Sequence, residues 1–258
     1  MKSALQNGFT LVEMAMVLLI VALLLGGMLV PLSAQMEQRN VSETQKSLSE
    51  IKEALIGYAL ANGQLPCPAV PTIPMGQAGA GIARIPPCTL TNSTGVLPWA
   101  TLGVSETDAW GNRYTYRVTS EFADAINLNT YGYDNNPTYG CVITHMCTPP
   151  NSPQNARFAL CSCGTLNVQS AASGGVNIAG NVPAVIISHG KNGAGAYTPQ
   201  GTQLAVSSNA DELENSYISG TPNNLYVSHT PTPTFDDLVV WISPNILFNR
   251  MVAAGKLP

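Results

Sequence analysis

Glu13 is the single charge in the apolar run 9–30, FTLVEMAMVLLIVALLLGGMLV. A carboxylate inside a membrane-length helix is costly and demands a partner. A cut between Gly8 and Phe9 would create one, because the new α-amino group would stand just ahead of Glu13 and carry a positive charge. In an assembly of such helices, Glu13 of one chain can pair with the amino terminus of its neighbour. That pairing favours assembled chains over isolated ones.

A second set of candidates is acidic. Asp236 and Asp237, with Asp211, Glu212 and Glu214 upstream, could offer oxygen ligands to calcium, which takes about 6 to 8 of them. Their spacing is not that of a recognised calcium loop. A solvated acidic turn beside a strand is the plainer expectation, with no metal or other cofactor. His145, His189 and His229 invite a search for catalysis with Ser188 or Ser228, but neither serine lies in G-x-S-x-G and no carboxylate is placed to orient a base. The expectation is a chain with no catalytic residues. Gly190-Lys191 is no phosphate loop, since its loop glycines follow the lysine and no helix start comes after.

Sulfur is the third candidate chemistry. All six cysteines, Cys67, Cys88, Cys141, Cys147, Cys161 and Cys163, follow the apolar run. An even number on one side of a membrane favours disulfides in an oxidising compartment, here the periplasm or the cell surface. Local spacing suggests Cys67 with Cys88, which leaves Cys141 and Cys147 to pair with Cys161 and Cys163. The last four lack the paired CxxC knuckles of a zinc site.

The elements that must carry these groups follow from pattern. At 1.5 Å per residue the run 9–30 spans about 30 Å of hydrocarbon. Lys2 and the amino terminus precede it and Glu37 and Arg39 follow, so the amino terminus is expected in the cytoplasm. A signal peptide cut near Ser33-Ala34 fits poorly, because the apolar stretch is too long and the helical pattern runs through the site. Gly26, Gly27 and Pro31 predict a kink or melted turn. Val41, Leu48 and Leu55, with Ile51 and Tyr58 between them, then make one apolar stripe, and Asn62-Gly63 with Pro66 and Pro68 ends the helix near Asn62.

The remainder alternates turns with short β-like runs at 113–118, 157–162, 183–188, 225–228 and 237–243. A tight turn is expected at 190–195, and a closing helix at 245–255 with Leu247, Phe248, Met251 and Val252 inward. Of 258 residues, 45% are hydrophobic, enough for a core, whereas only 10% are charged, against roughly 25% in ordinary soluble domains. With 23 Gly and 19 Pro the chain reads as loop-rich and extracytoplasmic. The net charge of -4 without a basic run excludes a nucleic-acid footprint.

KSALQNG followed by FTLVEMAMVLLIVALLL resembles the leader and cleavage motif of type IV pilins and type II secretion pseudopilins. The resemblance implies that prepilin peptidase cuts after Gly8 and methylates Phe9, and that Glu13 guides assembly. GQLPCPA, LPWATLGV, DAWGNRYTYRV, AVIISHGKNGAG and DDLVVWIS are similar to stretches of pseudopilin periplasmic domains, the third with Trp110 packed under the long helix. Some major pseudopilins bind calcium in a comparable late loop.

The implied architecture is α+β and pilin-like: a long amino-terminal helix packed on an antiparallel sheet. Its segments are a leader at 1–8, a transmembrane helix at 9–30, an amphipathic continuation at 31–62 and a periplasmic disulfide-bonded domain at 63–258. The implied role is a structural subunit, pseudopilin or minor pilin, of a pilus or secretion pseudopilus. Its implied partners are other subunits, the peptidase and an inner-membrane assembly platform. A tip adhesin or substrate-binding module on such a filament is the alternative, because the domain is large and 120–180 resembles nothing in the family.

Overall fold

The computed structural model describes residues 9–88, 92–123, 156, 158, 160, 162–216 and 224–257, with only the backbone described at 24–33. The chain divides into two compact units, Met1–Ser42 and Glu43–Pro258. One helix, α1 (Leu11–Asn62), contributes to both.

In the first unit α1 runs unbroken, so the melted turn expected at 26–31 is absent. Pro31 removes one backbone donor and leaves the hydrogen bonds of the neighbouring turns to hold the helix. Among the described residues no helix is long and apolar enough to cross a membrane. The expected span 9–30 extends into residues whose side chains lie outside the described ones.

The second unit begins with the carboxyl-terminal part of α1. Thr44, Leu48, Ile51, Leu55, Ile56 and Ala59 are buried, while Val41 and Tyr58 are only half-buried, so the apolar stripe sits slightly off the expected row. The helix stops where the sequence predicts. Gly63 takes the left-handed conformation at φ 76 and its N–H reaches the Ala59 carbonyl at 2.7 Å.

Two sheets follow. The larger is antiparallel in the order β1 (Thr94–Val96), β2 (Thr115–Val118), β5 (Ala184–Ser188), β7 (Leu238–Ile242). The smaller has β3 (Leu166–Gln169) between β4 (Asn177–Val182) and β6 (Leu225–Val227), with β3 and β6 parallel. Thus the expected antiparallel sheet is present, and a second, mixed sheet accompanies it. Strands β2, β5, β6 and β7 fall within the expected runs, whereas β1, β3 and β4 were not expected. The run 157–162 lies largely outside the described residues. The unexpected strands are short or poor in β-formers: β1 is TGV, and β4 carries Gly180 and Asn181.

Register explains why β5 is buried throughout. Val185 and Ile187 point toward Leu166, Val168, Val182 and Tyr226 of the smaller sheet, and Val239 and Trp241 pack against the same cluster. Alternation sends Ala184 and Ile186 to the opposite face, beside Val118 and Tyr116. Tyr116 donates to the Pro66 carbonyl just past α1. Both faces of β5 are therefore covered, which is the setting in which a strand reads as a continuous hydrophobic run.

Loops are fastened by a buried cation that the sequence did not announce. Arg113 bonds Glu106 at 2.7 Å, donates to the carbonyls of Pro71, Ile73 and Pro199, and lies 4.6 Å from the centroid of the Trp99 ring. Around Trp110 the turn docks on α1 through Ala109 N–H to the Thr44 hydroxyl, and Trp110 itself is half-buried. After two short helices, α2 (Trp99–Leu102) and α3 (Ala210–Asn215), the closing helix α4 (Pro244–Ala253) buries Leu247 and Met251 and sets Phe248 near Phe122 and Phe158. Val252 is exposed, contrary to expectation, because it lies about 140° around the helix from Leu247.

Leu55 is fully buried in this helix–sheet core. Leu55→Ala should cost about 2–5 kcal/mol in unfolding free energy. Denaturant titration against Lys52→Ala, a change at a less buried position of α1, checks it.

Candidate functional site

Phe9 is the first described residue and is exposed; Gly8 lies outside the described residues. Immediately after Phe9 the sequence Thr10-Leu-Val-Glu13 forms a reciprocal cap. The Thr10 N–H and hydroxyl donate to Glu13 Oε2 at 2.9 and 3.0 Å, and Glu13 N–H donates to Thr10 Oγ1 at 3.3 Å. Such a capping box satisfies donors that the first turn of a helix otherwise leaves open. Glu13 therefore has a partner within its own chain, a role the search for an external partner missed, although T-x-x-E was visible in the sequence.

The cysteine expectations resolve in part. Cys67 and Cys88 are bonded, with Cα atoms 5.7 Å apart. Cys163 is also disulfide-bonded, and Cys141, Cys147 and Cys161 lie outside the described residues.

A polar pocket forms at the carboxyl end of β5. There the chain turns through Gly190 at φ 56, where a Cβ would stand 2.3 Å from the Asp236 carbonyl oxygen, so only glycine lets the turn approach β7. The pairing of Ser188 with Leu238 brings the next residues outward, His189 and Asp237, face to face. From the other side comes α3 (Ala210–Asn215), capped by Asn209, whose side chain accepts from the N–H groups of Asp211 and Glu212. Carboxylate oxygens of Glu212, Asp236 and Asp237 all lie within 4.8 Å of one another.

Each carboxylate is held from behind. Asn192 donates its side chain to Glu212 Oε1 at 2.7 Å and its backbone N–H to Asp236 Oδ2 at 2.9 Å. Asn215 donates to Asp237 Oδ2 at 2.8 Å while binding both backbone groups of Val227's side of the pocket, its carbonyl and its N–H. The other oxygens, Asp236 Oδ1 and Asp237 Oδ1, are buried and accept no hydrogen bond from the described residues. Burial pushes Asp237 well above the ordinary carboxylate range, and it raises Asp236 as well.

His189 is sealed in. Its Nε2 lies 2.8 Å from Thr115 Oγ1 and its Nδ1 3.7 Å from Asp237 Oδ1. Although hydroxyl, imidazole and carboxylate line up, all three residues are buried, so no substrate can reach the hydroxyl. Burial holds the imidazole down at about 4, against an opposing pull from Glu212. Ser188 instead donates to Asp108 Oδ2 at 2.7 Å, and Asp108 Oδ1 accepts the N–H groups of Trp110 and Asn112.

The remaining candidates scatter. Asp211 pairs with His229 at 3.2 Å and accepts the Ala172 N–H, while Glu214 is outside the group of three. Ser228 gives its backbone N–H to Gln169, and His145 lies outside the described residues. The structure thus keeps Asp236 and Asp237, selects Glu212 from the upstream acids, and adds Asn192 and Asn215. No motif marked those two asparagines.

The donor set suits a hard cation: oxygen atoms only, two of them orphaned in a buried pocket. Residues 4–29 match the family model described as the prokaryotic N-terminal methylation motif. Neither a curated protein nor a solved structure matches the chain. The motif is the signature of type IV pilin and pseudopilin substrates of prepilin peptidase.

Because His189 is neutral when folded, the unfolded chain takes up a proton between pH 6.5 and about 4 that the folded chain refuses. Its contribution is complete above pH 6.5 and is lost as pH falls toward 4. Between pH 7 and pH 5 the wild type should lose about 2 kcal/mol more than His189→Gln. Denaturant unfolding in chelator at both pH values tests this; equal losses would refute it.

Proposed function

We propose that this chain is a pseudopilin or minor pilin, a structural subunit of a type IV pilus or a type II secretion pseudopilus. The observation that carries the reading is the methylation motif at 4–29, with Glu13 as the single charge of its apolar helix. The precursor inserts in the inner membrane through 9–30, with its amino terminus in the cytoplasm and 63–258 in the periplasm. Cleavage after Gly8 and methylation of Phe9 follow, and the subunit then enters the filament from an inner-membrane platform.

The capping geometry supports a mechanism for that last step. In the isolated subunit Glu13 is occupied by the Thr10 donors of its own first turn. A carboxylate can accept more than these, since its two oxygens offer about four lone-pair sites. On assembly the free sites of Glu13 receive the amino group of a neighbour's Phe9, while apolar helix packing supplies the bulk of the cohesion. The disulfide between Cys67 and Cys88 suits the oxidising side of the membrane.

Mass spectrometry of the chain from cells with and without prepilin peptidase tests processing. The expected product begins at methylated Phe9 only when the peptidase is present; a start near Gln35, or an intact Met1 in both strains, would exclude it. Glu13→Leu should insert and be processed normally, yet drop out of sheared filaments at least tenfold. Incorporation at the wild-type level would sink the pairing.

A further inference from the structure

We infer that His229 and Asp211 form a pH-operated clasp, in which one proton held between them fastens the exposed hairpin 230–235 to α3, and its loss at higher pH releases the hairpin. The inference does not depend on the filament reading. It begins from hydrogen-bond chemistry: His229 Nδ1 lies 2.8 Å from the Thr230 carbonyl oxygen, and Nε2 lies 3.2 Å from Asp211 Oδ2. A carbonyl oxygen only accepts, and a neutral imidazole has a single donor. With the Nδ1–H spent on Thr230, the contact at Nε2 holds one further proton between the ring and the carboxyl group.

The surroundings leave that proton to these two groups. Asp211 approaches from α3, and Phe235 stacks on the imidazole with ring centroids 3.9 Å apart. Neither the connection 170–176 nor the stretch 230–235 carries an ionisable side chain. The next acids along the chain, Glu212 and Asp236, face Asn192 in the polar pocket. Glu214 stands close enough to Tyr226 to oppose its ionisation, and Tyr226 itself belongs to the apolar cluster.

Asp211 is the joint of three segments. Its backbone belongs to α3, its Oδ1 accepts the Ala172 N–H of the β3–β4 connection at 2.7 Å, and its Oδ2 reaches His229 just beyond β6. After His229 the chain makes a tight hairpin: Thr232 N–H donates to the Phe235 carbonyl at 2.7 Å, Phe235 N–H returns to the Thr232 carbonyl at 3.3 Å, and Pro233 takes the corner that its fixed φ favours. Residues 230–234 are all exposed. Among the described residues, the other polar tie from this hairpin toward α3 runs from Asn209 to Thr234 Oγ1 at 3.3 Å.

Loss of the proton turns a ring lone pair on a carboxylate lone pair, and the contact becomes repulsive. The side chains of His229 and Asp211 are 24% and 26% exposed, so water takes the place of each partner and the release is local. Linkage gives the sign: the closed form binds the proton, so closure is favoured at low pH and is lost as pH rises. Imidazole is the side chain that ordinarily changes charge between about pH 5 and 8, so a comparison across that range exposes both forms.

Amide hydrogen exchange of the full chain in detergent, read by mass spectrometry at about pH 5.5 and about pH 8 and corrected for intrinsic exchange, tests the clasp. In the wild type the segment 229–235 should exchange at least about fivefold faster at the higher pH, while β5 stays unchanged. His229→Gln should abolish this response, because its amide does not titrate, and any response left belongs to Asp236 and Asp237. Asp211→Asn should abolish it as well, with β5 still protected in both variants as the sign that they fold. Equal wild-type exchange at the two pH values would overturn the clasp. A full response in His229→Gln would overturn the role of His229, and a full response in Asp211→Asn would overturn Asp211 as its partner.

Discussion

The antiparallel pairing of β5 with β7 is the constraint on which the globular unit turns. Five cross-strand partners, from Ala184 with Ile242 to Ser188 with Leu238, fix which residues meet at its end. A slip of one residue would exchange the two faces of β5, sending Ile186 toward the smaller sheet and Ile187 toward the opposite side. It would also separate His189 from Asp237. Core and polar pocket therefore depend on the same register, and Gly190 makes that register possible by letting the turn pass against the Asp236 backbone.

Polar groups in this interior are managed by distribution. Arg113 is spread over a carboxylate, three carbonyls and an indole face, so its charge is dispersed among groups that tie three loops together. Asp108 does the same with the opposite sign, gathering two backbone donors and the Ser188 hydroxyl. In the pocket of Glu212, Asp236 and Asp237, by contrast, two buried carboxylate oxygens have no donor among the described residues. That contrast within one domain is what makes the pocket informative.

At the amino terminus the same economy appears in one turn of helix. Glu13 closes a capping box with Thr10, so a single side chain serves both as helix cap and as the charge of an apolar segment. A cap is formed by the chain alone, whereas a pairing between subunits needs a second copy. The observed cap and the proposed pairing use the oxygens of Glu13 differently and are compatible.

Much of this was legible from sequence. The stop at Asn62-Gly63, the Cys67–Cys88 bridge and strands β2, β5, β6 and β7 follow from spacing and local propensity, which act over a few residues. Strands β1, β3 and β4 were not, because TGV, LNVQ and NIAGNV owe their conformation to neighbours already in place rather than to β-forming side chains. Sequence likewise put Asp236 and Asp237 forward without choosing among the three acids upstream. Only the tertiary structure decided that Glu212 joins Asp236 and Asp237 while Asp211 turns to His229 and Glu214 stays apart. The reason is geometric: successive residues of α3 point about 100° apart, so only packing beside β6 determines which acid faces the pocket.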